Sequence, residues 1–297
     1  MDVSKLLGKS FSNNDEAMSA LRELYVEDIK EYVRQCGNDN QFPFDANNQW
    51  ICLMDCVSEA GGVGEGYFLQ DMWGAREIYR SNVKHVYDIG SRIDGYIAHL
   101  LAMEVSVTLL DIRPFPHKVE GINFIQADAM NLDSIPDNSM ETVSALCSLE
   151  HFGLGRYSDP IDYNGWKKSL RAIKRKMKVG GNFYLSVPVG RNDKVVFNAH
   201  RVFHPATIAR EMLPEVSLHE FSYIGNWKIN TCLSGNVELN DLNEVAKILP
   251  DIKNNGVMGL FKFTKHLIIA PQSFELILII LYLTLLLNEV KNKWHTL

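Results

Sequence analysis

Apolar side chains recur at helical spacing near the start of the chain. Further along they change to short apolar runs alternating with amphipathic stretches. Met18, Leu21, Tyr25, Ile29 and Val33 share one face of a helix predicted over residues 14–36. Gly37 and the polar residues after it end that helix, and Pro43 keeps the following stretch extended. Residues 42–66 read as irregular, with a turn at GGVGEG (61–66). Helical spacing returns over 67–80 through Phe68, Met72, Ala75 and Ile78.

The alternation starts at His85. Strands are predicted at 85–88, 105–111, 123–128, 140–147 and 182–188, with helices over 94–104 and 162–178. The second helix sets Trp166, Leu170, Ile173 and Met177 against Lys167, Lys168, Arg171, Lys174 and Arg175, and Gly180-Gly181 reads as its cap. Later strands are expected at 216–224 and 257–264. Short connections between alternating elements imply a parallel sheet with helices on its faces. The pattern divides the chain into an N-terminal helical segment (1–40), an α/β domain (41–265) and a tail (266–297). Within that tail, LILIILYLTLLL (276–287) is almost unbroken apolar sequence.

Composition narrows the function. The net charge of -6 argues against a nucleic-acid binder held by phosphate contacts. The basic side of helix 162–178 reads as a solvated face. Five cysteines with no CxxC pair fit a reduced, cytoplasmic chain, and no zinc set or other metal site is expected. The N-terminus lacks the apolar core of a secretory signal. A membrane-spanning helix needs about 20 apolar residues. The tail's clean run is shorter, so at most peripheral membrane contact is expected of it.

In an open α/β sheet, ligands bind beyond the carboxyl ends of the strands. Three acids fall there in succession. Asp88 precedes Gly90, Ser91 and Arg92 in a loop that opens a helix, where Gly90 permits a tight turn. Asp111, with Ile112 after it, closes the second strand at about the 20-residue distance of a ribose-binding carboxylate. Asp128 and Ala129 follow the third strand, placed to meet an adenine. A lone aspartate at a strand end is as readily a helix cap or turn residue, but three in sequence favour a ligand site. A GxGxxG loop is absent, which argues against NAD.

Longer motifs carry a resemblance. DIG (88–90), LLD (109–111), QAD (126–128) and KVGG (178–181) resemble the class I methyltransferases. YFLQDMWGAR (67–76), YDIGSRIDGYI (87–97), CSLEHFGLGRYSDPID (147–162), SVPVGR (186–191) and FNAHRVF (197–203) resemble the family catalogued as domain of unknown function 268. The resemblance implies a Rossmann-like, seven-stranded sheet with helices on both faces and an antiparallel last strand at 257–264. It also implies S-adenosylmethionine as cofactor, bound by Asp88, Gly90, Ser91, Arg92, Asp111, Ile112, Asp128, Ala129 and Cys147. The acceptor it implies is a small molecule, a carbohydrate of surface-polysaccharide synthesis.

One departure is the pair Ser91-Arg92, standing where most of these methyltransferases carry further glycines. It leaves open a non-catalytic scaffold in a polysaccharide-assembling complex. The loop after the fourth strand holds Glu150 and His151, the expected catalytic residues, with His204 as competitor for the role of base. His200 and Arg201 are the expected acceptor-binding residues. Arg201 is equally placed to pair with Glu150 or Asp159, and His151 to be a hydrogen-bonded structural histidine. Gln70 and Asp71 are positioned to project toward the same edge.

Overall fold

The computed structural model describes residues 3–37, 41–58, 66–252 and 255–267. The chain forms two compact units, Met1–Gly64 and Glu65–Leu297. In the first, α1 (Val3–Leu7) precedes α2 (Asn14–Cys36), whose bounds match the helical pattern. Asn13 caps α2 by accepting from Glu16 N, satisfying one of the amides the first turn leaves free. Val3, Leu21 and Val57 form this unit's small core. Most of the expected turn at 61–66 and nearly all of the apolar tail lie outside the described residues.

The second unit is built on one sheet. Helix α3 (Tyr67–Ser81) leads into β1 (His85–Ile89), followed by α4 (Gly95–Ala102), β2 (Ser106–Asp111), β3 (Ile122–Gln126) and β4 (Met140–Leu146). After α5 (Gly165–Lys176) and β5 (Met177–Val189) comes a small hairpin, β6 (Lys194–Val196) with β7 (His200–Val202). Then come α6 (Pro205–Met212), β8 (Val216–Gly225), β9 (Lys228–Val237), α7 (Leu239–Ile248) and β10 (Val257–Lys265). The strand order is β3-β2-β1-β4-β5-β10-β8-β9. Strands β1 to β5 run parallel, and β10 inserts antiparallel between β5 and β8.

This is the expected Rossmann-like arrangement with its antiparallel last strand, and it carries one strand more than the seven expected. The extra strand is β9, paired antiparallel with β8. Alternating side chains divide the core between the two faces. Phe183, Leu185 and Val187 of β5 pack with Leu170, Ile173, Ile208 and Leu242 of α5, α6 and α7. Tyr184 packs on the other face with Trp73, Ile78, Tyr96 and Leu100 of α3 and α4. Helices therefore cover both faces, as a buried parallel sheet requires.

Three local expectations need correction. Helix α5 is shorter than 162–178, because Met177 turns extended (ψ 139) and begins β5. Gly180 and Gly181 consequently lie inside that strand and cap no helix. β3 ends at Gln126, so Asp128 stands two residues beyond the strand in the turn that follows.

Candidate functional site

The strand order reverses direction at β1, whose neighbours β2 and β4 continue to opposite edges of the sheet. Such a switch point opens a crevice at the carboxyl ends of the strands. The loops after β1, β2 and β4 all carry polar side chains there.

The β1 loop is held from below. Asp88 is fully buried; its Oδ2 accepts from Ser144 Oγ (2.6 Å) and Ser91 Oγ (2.8 Å), and its Oδ1 from Ser91 N (3.1 Å). Burial pushes its carboxyl up to about 6, and the Ser144 and Ser91 hydrogen bonds pull in the opposite direction. Ser91 Oγ also accepts from Leu146 N (3.2 Å), tying the loop to β4. Gly90 turns the chain at φ +71, and a Cβ there would stand 3.0 Å from Ser148 Cβ. Ser148 donates to Ile89 O (2.6 Å). Arg92 is exposed and paired with Asp94 (2.6 Å). Thus Asp88 and Ser91 spend their polar atoms on shaping the loop, and Arg92 points to solvent.

Asp111 ends β2 at the rim. Arg113 takes both of its oxygens, through Nε to Oδ1 (3.0 Å) and Nη2 to Oδ2 (2.6 Å), and Arg113 N also donates to Oδ1 (2.8 Å). Ile112 O accepts from Gln126 Nε2 (2.8 Å). Asp128 Oδ1 accepts from Met130 N (2.8 Å), a turn contact, and Ala129 packs against the core beside it.

The β4 loop holds the unusual groups. Cys147 adopts φ +50, a conformation that side-chain-bearing residues rarely hold and that clusters at functional sites. Its amide is gripped by Ser186 O (3.0 Å) and Ser186 Oγ (2.9 Å), and Ser186 in turn donates to Gln70 Oε1 (2.6 Å). Burial pushes the Cys147 thiol well up. Helix α3 thus reaches the site through Gln70, and Asp71 Oδ2 lies where a Cβ on Gly95 would stand, at the start of α4. Burial raises the Asp71 carboxyl. Tyr67, one turn earlier, has its phenol pushed up to about 12, first by burial and then by the nearby Cys147 and Glu150.

Glu150 and His151 follow in a short 3-10 turn, Leu149–His151. Glu150 is 2% exposed and its Oε2 has no hydrogen-bond partner among the described residues. Burial pushes this carboxyl up to about 8. His151 Nδ1 lies 2.7 Å from Ala199 O. A carbonyl only accepts, which puts the proton on Nδ1 and the lone pair on Nε2; Arg156 Nη1, a donor 3.2 Å from the same Nδ1, then shares the Ala199 carbonyl with it at 3.0 Å. Nε2 is 3.6 Å from Glu150 Oε1. Burial lowers His151 to about 4. At neutral pH the two are therefore a protonated acid beside an unprotonated imidazole nitrogen, with neither carrying charge.

The remaining expected residues divide. Arg201 is spent on backbone carbonyls of the β4 loop, Phe152 O (2.7 Å), Glu150 O (3.5 Å) and Tyr163 O (3.5 Å). Pairing with the Glu150 or Asp159 carboxylate is thus replaced by bracing of the loop. Asp159 accepts from Gly153, Gly155 and Tyr157 amides, which organise the same loop. His200 stands on β7, close enough to His151 to help depress its pKa. His204 Nδ1 accepts from Ala206 N (3.2 Å) as the cap of α6. Of the three catalytic candidates, only Glu150 and His151 are brought together.

Arg156 and Tyr157, which the 147–162 motif contains without a role, also matter, and so does Arg113, which lies outside every motif. Arg113 lies over the Tyr157 ring, 4.5 Å from its centroid, and Arg156 lies 5.2 Å from it. Among the described residues no cluster is placed to hold a metal ion, and no helix is long and apolar enough to cross a membrane.

A family model described as "Caenorhabditis protein of unknown function, DUF268" matches residues 98–258. A search of curated proteins finds no match. Among solved structures, a Burkholderia thailandensis 1,6-didemethyltoxoflavin-N1-methyltransferase with bound S-adenosylhomocysteine is 14% identical, covering 86% of this chain and 92% of its own, with a TM-score of 0.45. The N-methyltransferase NodS from Bradyrhizobium japonicum WM9 is 9% identical over 69% of this chain and 98% of its own, with a TM-score of 0.46. A SAM-dependent methyltransferase from Archaeoglobus fulgidus is 20% identical over 68% and 97%, with a TM-score of 0.43.

Proposed function

The chain belongs to the family described as Caenorhabditis protein of unknown function, DUF268, and from that membership and its carboxyl-edge site we propose an S-adenosylmethionine-dependent methyltransferase. Its acceptor is a small polar molecule methylated on oxygen, a sugar or sugar derivative of surface-polysaccharide synthesis, handled in the cytoplasm. The observation that carries the reading is the Glu150–His151 pair at the end of β4, buried and neutral, with one carboxyl oxygen left without a partner.

A buried polar atom without a partner costs about 1–3 kcal/mol, a cost that a bound ligand can relieve. Asp111 and Asp128 follow the neighbouring strands β2 and β3 and suit the ribose and adenine ends of the cofactor. When bound, the cofactor supplies the electrophilic methyl group. The chain's own part is to align the acceptor hydroxyl and take its proton. Glu150 holds a proton more firmly than His151, at about 8 against about 4. At neutral pH Glu150 therefore already holds its proton and can donate a hydrogen bond to the acceptor, while His151 Nε2, the nitrogen with the free lone pair, takes the hydroxyl proton. His204, with Nδ1 accepting at its helix cap, is the weaker candidate.

A second reading has an observation of its own. Arg113 occupies both oxygens of Asp111, which suits a cofactor fold retained as a scaffold. Calorimetric titration with S-adenosylmethionine, S-adenosylhomocysteine and NAD separates the readings. Binding of the first two and not the third supports the enzyme; no binding of any supports the scaffold; binding of NAD alone sinks both.

A further inference from the structure

With Arg201 committed to backbone carbonyls, the positive charge at the mouth of the site comes from elsewhere. Arg156 has no carboxylate within 4.0 Å among the described residues; its Nη1 donates to Ala199 O at 3.0 Å. Its charge reaches inward to Glu150 and Tyr67, whose pKa values it draws down. Arg113 approaches from the other side of β1. Because β2 and β4 flank β1 in the sheet, the stacking of Arg113 on Tyr157 spans the carboxyl end of β1. Both guanidinium groups share the Tyr157 ring, at 4.5 and 5.2 Å. Tyr157 is fixed through its amide by Asp159 Oδ1 (3.1 Å), and its ring meets His151 edge-on at 5.5 Å.

We propose that Arg156 and Arg113, arrayed on Tyr157, form an anion-binding subsite that reads a carboxylate or phosphate on the acceptor, so that the acceptor is an acidic sugar or a sugar phosphate. Guanidinium groups match such anions with paired hydrogen bonds. Stacking on an aromatic ring holds their planes in place. Neither of the carboxyls nearest Arg156 pairs with it: Asp159 gives its oxygens to the Gly153, Gly155 and Tyr157 amides, and Glu150 is buried behind the loop. Asp111 pairs directly with Arg113. On the reading given above, Asp111 turns to the ribose of the cofactor, and Arg113 is then released toward the acceptor. Cofactor and anionic acceptor therefore bind with positive coupling, and Arg113 carries it. This coupling rests on the proposed cofactor site; the anion preference at Arg156 does not.

The test is calorimetric titration of the full chain with glucose, glucuronate and glucose 1-phosphate, with and without saturating S-adenosylhomocysteine. At least one of the two anions is expected to bind roughly 10- to 100-fold more tightly than glucose, as a charge-assisted pair provides. The arm that binds better identifies carboxylate or phosphate. Arg156→Ala should abolish the preference, and Arg156→Lys, which keeps the charge without the fork, should retain part of it. S-adenosylhomocysteine should tighten the preferred anion several-fold in the wild type and not in Arg113→Ala. Equal binding of all three sugars, or a preference unchanged in Arg156→Ala, overturns the subsite. Binding of S-adenosylhomocysteine without coupling removes Arg113 from it. Failure of S-adenosylhomocysteine to bind at all contradicts the methyltransferase reading instead, and the anion preference is then read in the free protein.

Discussion

Replacing Glu150 by glutamine removes a group that folding forces to keep its proton, and the consequence is a pH dependence of known sign. The carboxyl is raised from 4.5 to about 8 because the fold buries it. A raised folded-state pKa contributes its full stability below the unfolded value, near 4.5, and loses it as pH climbs through the folded value. Integrating the proton uptake between those limits, the wild type should lose roughly 4 kcal/mol relative to Glu150→Gln between about pH 5 and about pH 9. The new amide is itself left without a good partner, but that cost is independent of pH and cancels in the comparison. Asp88, which titrates near 6, is present in both proteins and also cancels. His151, lowered by burial from 6.5 to about 4, adds stability as pH rises through that interval, but both proteins carry it and it cancels too. Urea unfolding of both proteins across this range gives the difference directly. A difference that stays flat from pH 5 to pH 9 refutes the reasoning, because it would mean that Glu150 is ionised in the folded chain at neutral pH.

Other consequences follow from the same contacts. Gly90→Ala should destabilise the chain by about 1–2 kcal/mol, since φ +71 suits glycine and the added methyl meets Ser148; thermal unfolding measures it. Ser144→Ala removes the 2.6 Å donor to Asp88. It should cost about 1.5–3 kcal/mol at pH 8, where that carboxylate is ionised, and less at pH 5, where it is protonated, as urea midpoints at the two values would report. Once an acceptor is in hand, His151→Ala should lower turnover by about 10²–10⁴-fold with cofactor affinity nearly constant. His204→Ala should keep the acidic limb of the pH–rate profile, which the true proton acceptor's variant loses.

Much of the fold was legible because its signals are local. The 3.6-residue period over 14–36 and the apolar runs ending at Ile89, Asp111 and Leu146 reflect elements whose burial follows sequence spacing. Strand β9 was not legible. Lys228–Val237 is an edge strand with mixed, half-exposed positions and no clean alternation. Helix α7 and the β6–β7 hairpin likewise lack an apolar run long enough to stand out. The Lys178-Val-Gly-Gly181 stretch misled because glycines after a basic amphipathic helix resemble a cap, whereas Met177 and Asn182 on either side already pair with Met140 and Thr142 of β4, so the glycines fall at a register irregularity within β5.

The site was legible in its positions and less so in its partners. Asp88 and Asp111 stand at strand ends and Glu150 and His151 in the loop after β4, where their spacing puts them. That Ser144, fifty-six residues away, would donate to Asp88 depends on sheet register. Arg201 gave no sign that it would turn to carbonyls of the β4 loop, because that choice is made by a hairpin the pattern does not reveal. Arg113 stood two residues after Asp111 throughout, and an arginine so near a rim carboxylate is a signal that spacing alone can supply.

The central claim is that the carboxyl edge around Asp111 takes S-adenosylmethionine, and its most direct test is the calorimetric affinity of S-adenosylhomocysteine for the wild type and for Asp111→Ala. The wild type should bind, and the variant should bind more weakly by about 2–3 kcal/mol, the worth of two hydrogen bonds from ribose hydroxyls to a carboxylate. Equal affinities, or no heat with either protein, would contradict the account.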